Sequence, residues 1–310
     1  MAKLALLTSG GDSPGMNMAV WAATQAAWDL GWRVLGVREG FTGLLRGDFL
    51  ELNPAETLRY ARLGGTFLGT SREPDFSAKV PRAVARLEEA GATHLLVLGG
   101  NGSLAGAAKL AEAGFPVVGI PCTIDNDVAG SEESIGFDTA LNFALFVLDG
   151  MRDTAEALPR LFALETLGGD TGFLAAAVYA AGGGDALLVP EEPLGLDGIA
   201  AGLREALERQ RYAVVVASEG YPDLLGVLGG LEETLSLRLR PTRLGHAQRG
   251  GRPSGHDRLL ARGLAQRAVK ALTWGEAGVL GVWDGRYRLL PYRDLAPRKP
   301  WTPGAWGVAR

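Results

Sequence analysis

The sequence predicts an α/β protein built on parallel sheets in two lobes, with a ligand cleft between them. Three observations carry that reading. Apolar runs of strand length alternate with segments of helical length, and glycine clusters separate them. The 45 glycines among 310 residues punctuate these changes and follow no fixed-period repeat. Parallel strands read as continuous apolar runs, since crossover helices cover both faces of the sheet.

Leu4–Leu7 reads as a buried strand that passes through Gly10-Gly11-Asp12-Ser13-Pro14-Gly15 into a helix over about Met16–Leu30. Arg33–Val37 is the next strand, and His94–Leu98 and Val117–Ile120 are two more. Gly99-Gly100-Asn101-Gly102-Ser103 follows the strand at His94–Leu98 and leads into an alanine-rich helix. A second series of alternations begins at Leu161–Leu164. A helix at about Thr171–Tyr179, a strand at Ala186–Val189, a helix at about Leu196–Gln210 and a strand at Ala213–Ala217 continue it. A helix at about Asp257–Ala271 and a strand at Val279–Val282 close the pattern.

Composition bounds the function. With 47% hydrophobic and 21% charged residues the chain has ample material for a core, which excludes intrinsic disorder. A net charge of −4 lacks the basic excess that nucleic acid or an anionic membrane surface demands. The one cysteine, Cys122, allows neither an intrachain disulfide nor a thiolate-rich metal cluster, and it reads as a small buried packing residue. No segment approaches the roughly 18–20 apolar residues of a bilayer span, and MAKLALLTSGG is too short an apolar run for a signal peptide. The expectation is a cytoplasmic protein with neither nucleic acid nor membrane as partner.

Ligands of such sheets bind beyond the carboxyl ends of the strands, where the polar loops fall. Gly10, Gly11 and Gly15 around a strand-to-helix turn would aim backbone N–H groups at an anion, and Gly99–Ser103 repeats the device. A single glycine loop is more often a tight connection; two in adjacent units favour a polyphosphate. Neither loop ends in the Gly-Lys-Ser/Thr of a P-loop, and neither is G-x-G-x-x-G. In Pro121-Cys122-Thr123-Ile124-Asp125-Asn126-Asp127 two carboxylates stand two residues apart, a spacing that serves a general base with a charge stabiliser or metal ligand, or a turn cluster. Arg72, Glu219 and Gly245-His246-Ala247-Gln248-Arg249-Gly250-Gly251 add anion receptors and hydroxyl binders. Phosphoryl transfer to a sugar phosphate fits this inventory.

The residues Leu7–Asn17 (LTSGGDSPGMN), Gly64–Arg72, Gly99–Ser103, Pro121–Asp127, Ile135–Ala140 and Leu244–Gly251 stand in the order and spacing of a known family. Along nearly its whole length the sequence resembles bacterial ATP-dependent 6-phosphofructokinases. The resemblance implies the phosphofructokinase fold, two interlocked Rossmann-like parallel-sheet lobes. The larger, nucleotide-binding lobe would hold 1–136 and 248–298, and the smaller, sugar-phosphate-binding lobe 137–247 and 299–310. It implies ATP as co-substrate, Mg²⁺ as cofactor, a place in glycolysis and a homotetramer, with a second phosphofructokinase subunit as a further possible partner. Carried over position by position, Gly11, Arg72, Gly102, Ser103 and Gly106 would contact ATP or ADP. Asp125 would take the proton of the sugar 1-hydroxyl, with Thr123, Asp127 and Arg72 completing the catalytic set. Fructose 6-phosphate would be held by Thr123, Asp125, Asp127, Leu167, Glu219, His246 and Arg249, joined by Arg160 and Arg240 of a neighbouring subunit. The metal would fall to Asp127 and to the position of Asn101.

The departures are specific. Asn101 stands where the family has an aspartate, so a neutral amide replaces a hard anionic ligand. Leu167-Gly168-Gly169 stands where the family has Met-Gly-Arg, and Cys122 replaces a small glycine. Trp21, Gln25 and Pro54 occupy effector-site arginine positions, while Arg152 and Asp185 remain. The implied activity is therefore reduced and free of the usual allostery. The alternative is an impaired paralogue that binds sugar phosphate or nucleotide as a sensor or regulatory subunit.

Overall fold

A computed structural model describes residues 2–157 and 160–302. The last eight residues of the tail assigned to the smaller lobe lie outside the described residues. The chain divides into two compact units, 1–139 with 249–299 and 140–248 with 300–310.

The first unit is a seven-stranded sheet in the order β11-β10-β5-β4-β1-β2-β3. Its strands are β1 (Lys3–Thr8), β2 (Arg33–Val37), β3 (Phe49–Leu52), β4 (His94–Gly99), β5 (Val117–Pro121), β10 (Gly278–Trp283) and β11 (Arg286–Leu290). The five central strands run parallel; β3 and β11 are antiparallel edges. Leu4, Leu6, Leu95 and Leu96 are fully buried, as a sheet covered on both faces requires. One face is covered by α1 (Met16–Asp29) and α10 (Gly255–Thr273), whose facing alanines Ala19, Ala23, Ala261, Ala265 and Ala268 have no exposed surface. Small side chains let the two helix axes approach closely. The other face carries α2 (Gly40–Arg46), α4 (Phe76–Glu89) and α5 (Asn101–Glu112), which bury Leu44, Phe76, Leu87 and Leu110. The short α3 (Pro54–Leu58) follows β3, capped by the Asn53 side chain.

Asp257 fixes the end of this unit. Its buried carboxylate accepts hydrogen bonds from the Gly136 and Thr139 amides, both at 2.8 Å, at the start of α6 (Phe137–Ala155). It also accepts from the Thr139 hydroxyl. Asp257→Ala strands these donors, and each buried orphan costs on the order of 1–3 kcal/mol. The expected result is a loss of roughly 2–4 kcal/mol in urea unfolding.

The second unit holds a four-stranded parallel sheet in the order β7-β8-β6-β9. Its strands are β6 (Arg160–Thr166), β7 (Ala186–Leu188), β8 (Tyr212–Ser218) and β9 (Leu239–Arg243). The helices α7 (Phe173–Gly182), α8 (Leu196–Arg209) and α9 (Leu224–Leu235) connect them. All seven residues of β8 are buried. The edge strand β9 carries Pro241, which an edge tolerates because one side of its backbone need not donate. Among the described residues, no helix is long and apolar enough to cross a membrane.

Candidate functional site

The chain runs β1, β2, β3 towards one edge of the large sheet, then returns to place β4 on the other side of β1. Connections leaving β1 and β4 therefore diverge, and the crevice at their carboxyl ends is where such sheets bind ligands. A cavity of about 310 Å³ opens there. Gly10 and Gly11 after β1, Gly102, Ser103 and Gly106 of α5, and Arg72 all line it. The structure thus gathers Gly11, Arg72, Gly102, Ser103 and Gly106 around one space.

Local chemistry explains the arrangement. Asn17, almost fully buried, donates to the Leu63 and Gly64 carbonyls (both 3.2 Å) and accepts from the Phe67 amide (2.9 Å). That anchors the segment leading to Thr70, whose hydroxyl donates to the Gly10 carbonyl at 2.6 Å. The Gly10 amide donates in return to the Ser71 carbonyl at 3.2 Å. Exposed Arg72 is held at the rim by this exchange. Gly10 has φ 81°, a left-handed conformation that a side chain would strain. A Cβ at Gly102 would meet nothing within 4 Å, so this helix face is open to a ligand. A Cβ at Gly106 would come within 2.9 Å of Phe41, which packs on Phe76 with ring centroids 4.2 Å apart to form an aromatic wall of the cavity. Neither phenylalanine stood out in the sequence; the glycine opposite them was the only trace. The N-terminus of α5 has no side-chain cap, so its amides are left for a ligand anion or water.

The loop after β5 completes this edge. The Cys122 amide donates to the Gly99 carbonyl at 2.9 Å, and Cys122 itself is buried, its thiol pushed well up by burial and so unreactive. Thr123 is buried and its hydroxyl accepts from the Asp125 amide at 3.2 Å. Asp125 is half-buried and Asp127 almost wholly buried. Burial first, and the Asp125 carboxylate second, push the Asp127 carboxyl up to about 6, against the pull of Arg298 and Lys299. Arg298 Nε lies 3.3 Å from Asp127 Oδ2. The Asp127 carbonyl accepts from the Lys299 amide at 2.8 Å and from Asn101 Nδ2 at 3.3 Å. Arg298 and Lys299 escaped the sequence reading, as a basic pair far along the chain carries no local signal of an acidic neighbour. Arg249 also belongs to this unit; its guanidinium fills the space a Cβ at Gly11 would need and donates to the Asp12 carbonyl at 3.4 Å.

A divalent cation is tested by the donor set. Among the described residues no group of three His, Cys, Asp or Glu could hold a metal. Two carboxylates that repel each other, Asp125 and Asp127, with the amide of Asn101 beside them, offer hard oxygen ligands but no complete cage. Mg²⁺ commonly takes one or two carboxylates and completes its shell with phosphates and water. The residues fit an ion that arrives with a polyphosphate.

In the second unit Leu167, Gly168, Gly169 and Glu219 share the carboxyl edge of the small sheet. The Glu219 carboxylate accepts from the Gly168 amide at 3.2 Å and the Gly169 amide at 2.9 Å. The Leu167 amide donates to Gln248 Oε1 at 2.7 Å, which draws in the 3₁₀ turn Gly245–Arg249 that carries exposed His246. Arg160 and Arg240 do not join them. Arg160 opens β6 and Arg240 is the second residue of β9, level with Phe162, so both lie towards the amino end of the same sheet, and six and four residues of strand put them about 20 Å and 13 Å from its carboxyl end.

The family model described as Phosphofructokinase matches residues 3–272. The chain is 41% identical over 306 residues to ATP-dependent 6-phosphofructokinase 1 of Thermus thermophilus, covering 96% of this chain and 95% of that one. It is 39% identical over 290 residues to the ATP-dependent 6-phosphofructokinase of Bacillus cereus, covering 92% and 91%. The solved phosphofructokinase of Saccharomyces cerevisiae superposes with a TM-score of 0.87 at 30% identity, over 94% of this chain and 45% of that chain. A pyrophosphate-dependent phosphofructokinase from Marinobacter aquaeolei superposes with a TM-score of 0.86 at 20% identity, over 98% and 86%, a likeness of fold alone.

Proposed function

This chain belongs to the phosphofructokinase family, and from that premise we propose that it transfers the γ-phosphoryl group of ATP to the 1-hydroxyl of fructose 6-phosphate. The observation that carries the reading is the shared edge of β1, β4 and β5, where a glycine-lined cavity lies beside the Asp125–Asp127 pair.

Gly11, Gly102, Ser103 and Gly106 receive the nucleotide, and Arg72 at the rim offers a guanidinium fork to its phosphates. Asp125 accepts the proton of the 1-hydroxyl as that oxygen bonds to the γ-phosphorus and the bond to the bridging oxygen breaks, releasing ADP. Thr123 orients Asp125 by accepting its amide. Asp127 and, through its oxygen, Asn101 would hold Mg²⁺, which supplies neutralisation of phosphate charge when bound. Glu219, His246 and Arg249 hold the sugar phosphate, with Leu167 shaping the turn beside Glu219. Arg160 and Arg240, towards the amino end of their sheet, serve the site of a neighbouring subunit in a homotetramer; their separation along the strands from Glu219 at the carboxyl end supports that assignment.

Familiar control by ADP or phosphoenolpyruvate is not expected. Arg152 donates to the Gly183 carbonyl and Asp185 accepts from the Val214 amide at 2.8 Å, so both remaining effector-site residues have partners in their own unit. One observation favours the second reading, a binding protein with impaired turnover: the Asn101 amide brings no charge to the carboxylate pair. Purified protein given ATP, Mg²⁺ and fructose 6-phosphate should form fructose 1,6-bisphosphate, at a rate reduced from the usual kinase range of about 1–100 s⁻¹. Folded protein that binds both substrates without product would favour the second reading.

A further inference from the structure

The residues that follow the 3₁₀ turn Tyr292–Asp294 bring two cations to Asp127. Arg298 meets the carboxylate through Nε, 3.3 Å from Oδ2, with the arginine side chain 44% exposed and the aspartate side chain 9%. The next residue anchors the approach twice: the Lys299 amide donates to the Asp127 carbonyl at 2.8 Å, and Lys299 Nζ donates to the Glu132 carbonyl at 2.9 Å. On the other side, Asn101 Nδ2 donates to the same Asp127 carbonyl at 3.3 Å. An ionised aspartate at 101 has no proton to donate, so the amide suits this geometry where a carboxylate would not. The backbone of Asp127 is thus clamped from two sides, and its carboxylate faces a guanidinium.

A guanidinium keeps its charge at any pH the protein meets, and it cannot vacate a carboxylate by titrating. It also repels a second cation. A divalent ion on Asp127 would sit within a few ångströms of Arg298, where like charges oppose each other strongly at the effective permittivity of a partly buried site. We propose that Arg298 is a positioning residue, the resident counter-cation of Asp127, and that it competes with the divalent ion for this carboxylate. The proposal deepens the phosphoryl-transfer reading and rests on it. Under it the metal requirement of the site is set by Arg298, and the clamp of Lys299 and Asn101 keeps Asp127 in place whichever cation it holds.

The test measures metal binding without turnover. Mn²⁺, whose unbound form is counted by electron paramagnetic resonance, is titrated at pH 8 into wild type, Arg298→Ala and Arg298→Lys, alone and with the non-transferable analogue β,γ-imido-ATP. Arg298→Ala should bind Mn²⁺ about tenfold more tightly than wild type, with Arg298→Lys within about threefold of wild type. A residue with a merely structural role would give the opposite sign, since damage to the site weakens binding. Unchanged or weaker Mn²⁺ binding by Arg298→Ala overturns the proposal. Should that variant fold poorly, Arg298→Gln removes the charge while keeping most of the side chain, and the same signs apply. Product formation by the wild type is followed in parallel; its absence would count against the transfer reading alone, because the Mn²⁺ comparison does not depend on turnover.

Discussion

Asp125→Asn should lower kcat by roughly 10²–10⁴, the usual contribution of a positioned general base, while KM for fructose 6-phosphate stays within a few fold. The amide keeps the shape of the carboxylate, and the backbone bond from the Asp125 amide to the Thr123 hydroxyl does not involve the substituted atoms. What is lost is the ability to take up a proton from the attacking hydroxyl. Steady-state kinetics, with a thermal melt to show unchanged stability, separates this from a folding defect. A loss below about fivefold would move the burden from base catalysis to placement and charge neutralisation, which supply most of the rate in phosphoryl transfer.

Asp127→Asn should do two things at once: abolish most turnover, by roughly 10²-fold or more, and stabilise the fold at alkaline pH. The carboxyl sits at about 6 in the folded protein against an ordinary 3.8, raised by burial and then by Asp125. A raised acid binds its proton more tightly folded than unfolded, so its ionisation opposes folding. The penalty is absent below pH 4, grows between about 4 and 6, and is complete above that. Replacing the carboxyl by an amide removes it, for a gain of roughly 1–3 kcal/mol at pH 8 that vanishes near pH 4. Half-exposed Arg298 gives up its contact with the Asp127 carboxylate at little cost, since water can solvate it. Urea unfolding at both pH values reads the effect, and equal stability of the two proteins at pH 8 would contradict it.

Much of this was legible in the sequence. β1, β2, β4 and β5 are unbroken apolar runs, and the parallel order of the large sheet follows from the helices between them. α10 begins two residues earlier than its apolar pattern, where the Ser254 hydroxyl accepts the Asp257 amide at 3.1 Å and caps the first turn. Other elements were hidden for local reasons. α4 buries Phe76, Val80, Ala83 and Leu87 at helical spacing, but Pro81 inside it reads as a break. α9 buries Leu224, Leu228 and Leu231, while Gly226, Gly229 and Gly230 disguise it as a loop. The β10–β11 hairpin turns on Asp284 (φ 48°) and Gly285 (φ 66°), a dipeptide whose hairpin signal stood in the sequence unread.

The site divides in the same way. The glycine loops announce themselves because backbone amides can approach phosphate only where side chains are absent. The aromatic wall of Phe41 and Phe76 and the cation at Asp127 depend on tertiary contact and leave no local pattern. At Gly169 the sequence showed only a missing arginine. The structure adds that this residue has φ 59° and gives its amide to Glu219 at 2.9 Å. Restoring an arginine there would place a side chain in the left-handed region, at about 1–2 kcal/mol.

³¹P nuclear magnetic resonance follows directly where the transferred phosphoryl group goes. Wild-type protein with ATP, Mg²⁺ and fructose 6-phosphate should convert the γ-phosphorus signal into a second phosphomonoester on the sugar, at C1, in step with the appearance of ADP. Inorganic phosphate in place of the new ester, or an unchanged spectrum from folded protein, would mean that the protein does not transfer the phosphoryl group to the sugar.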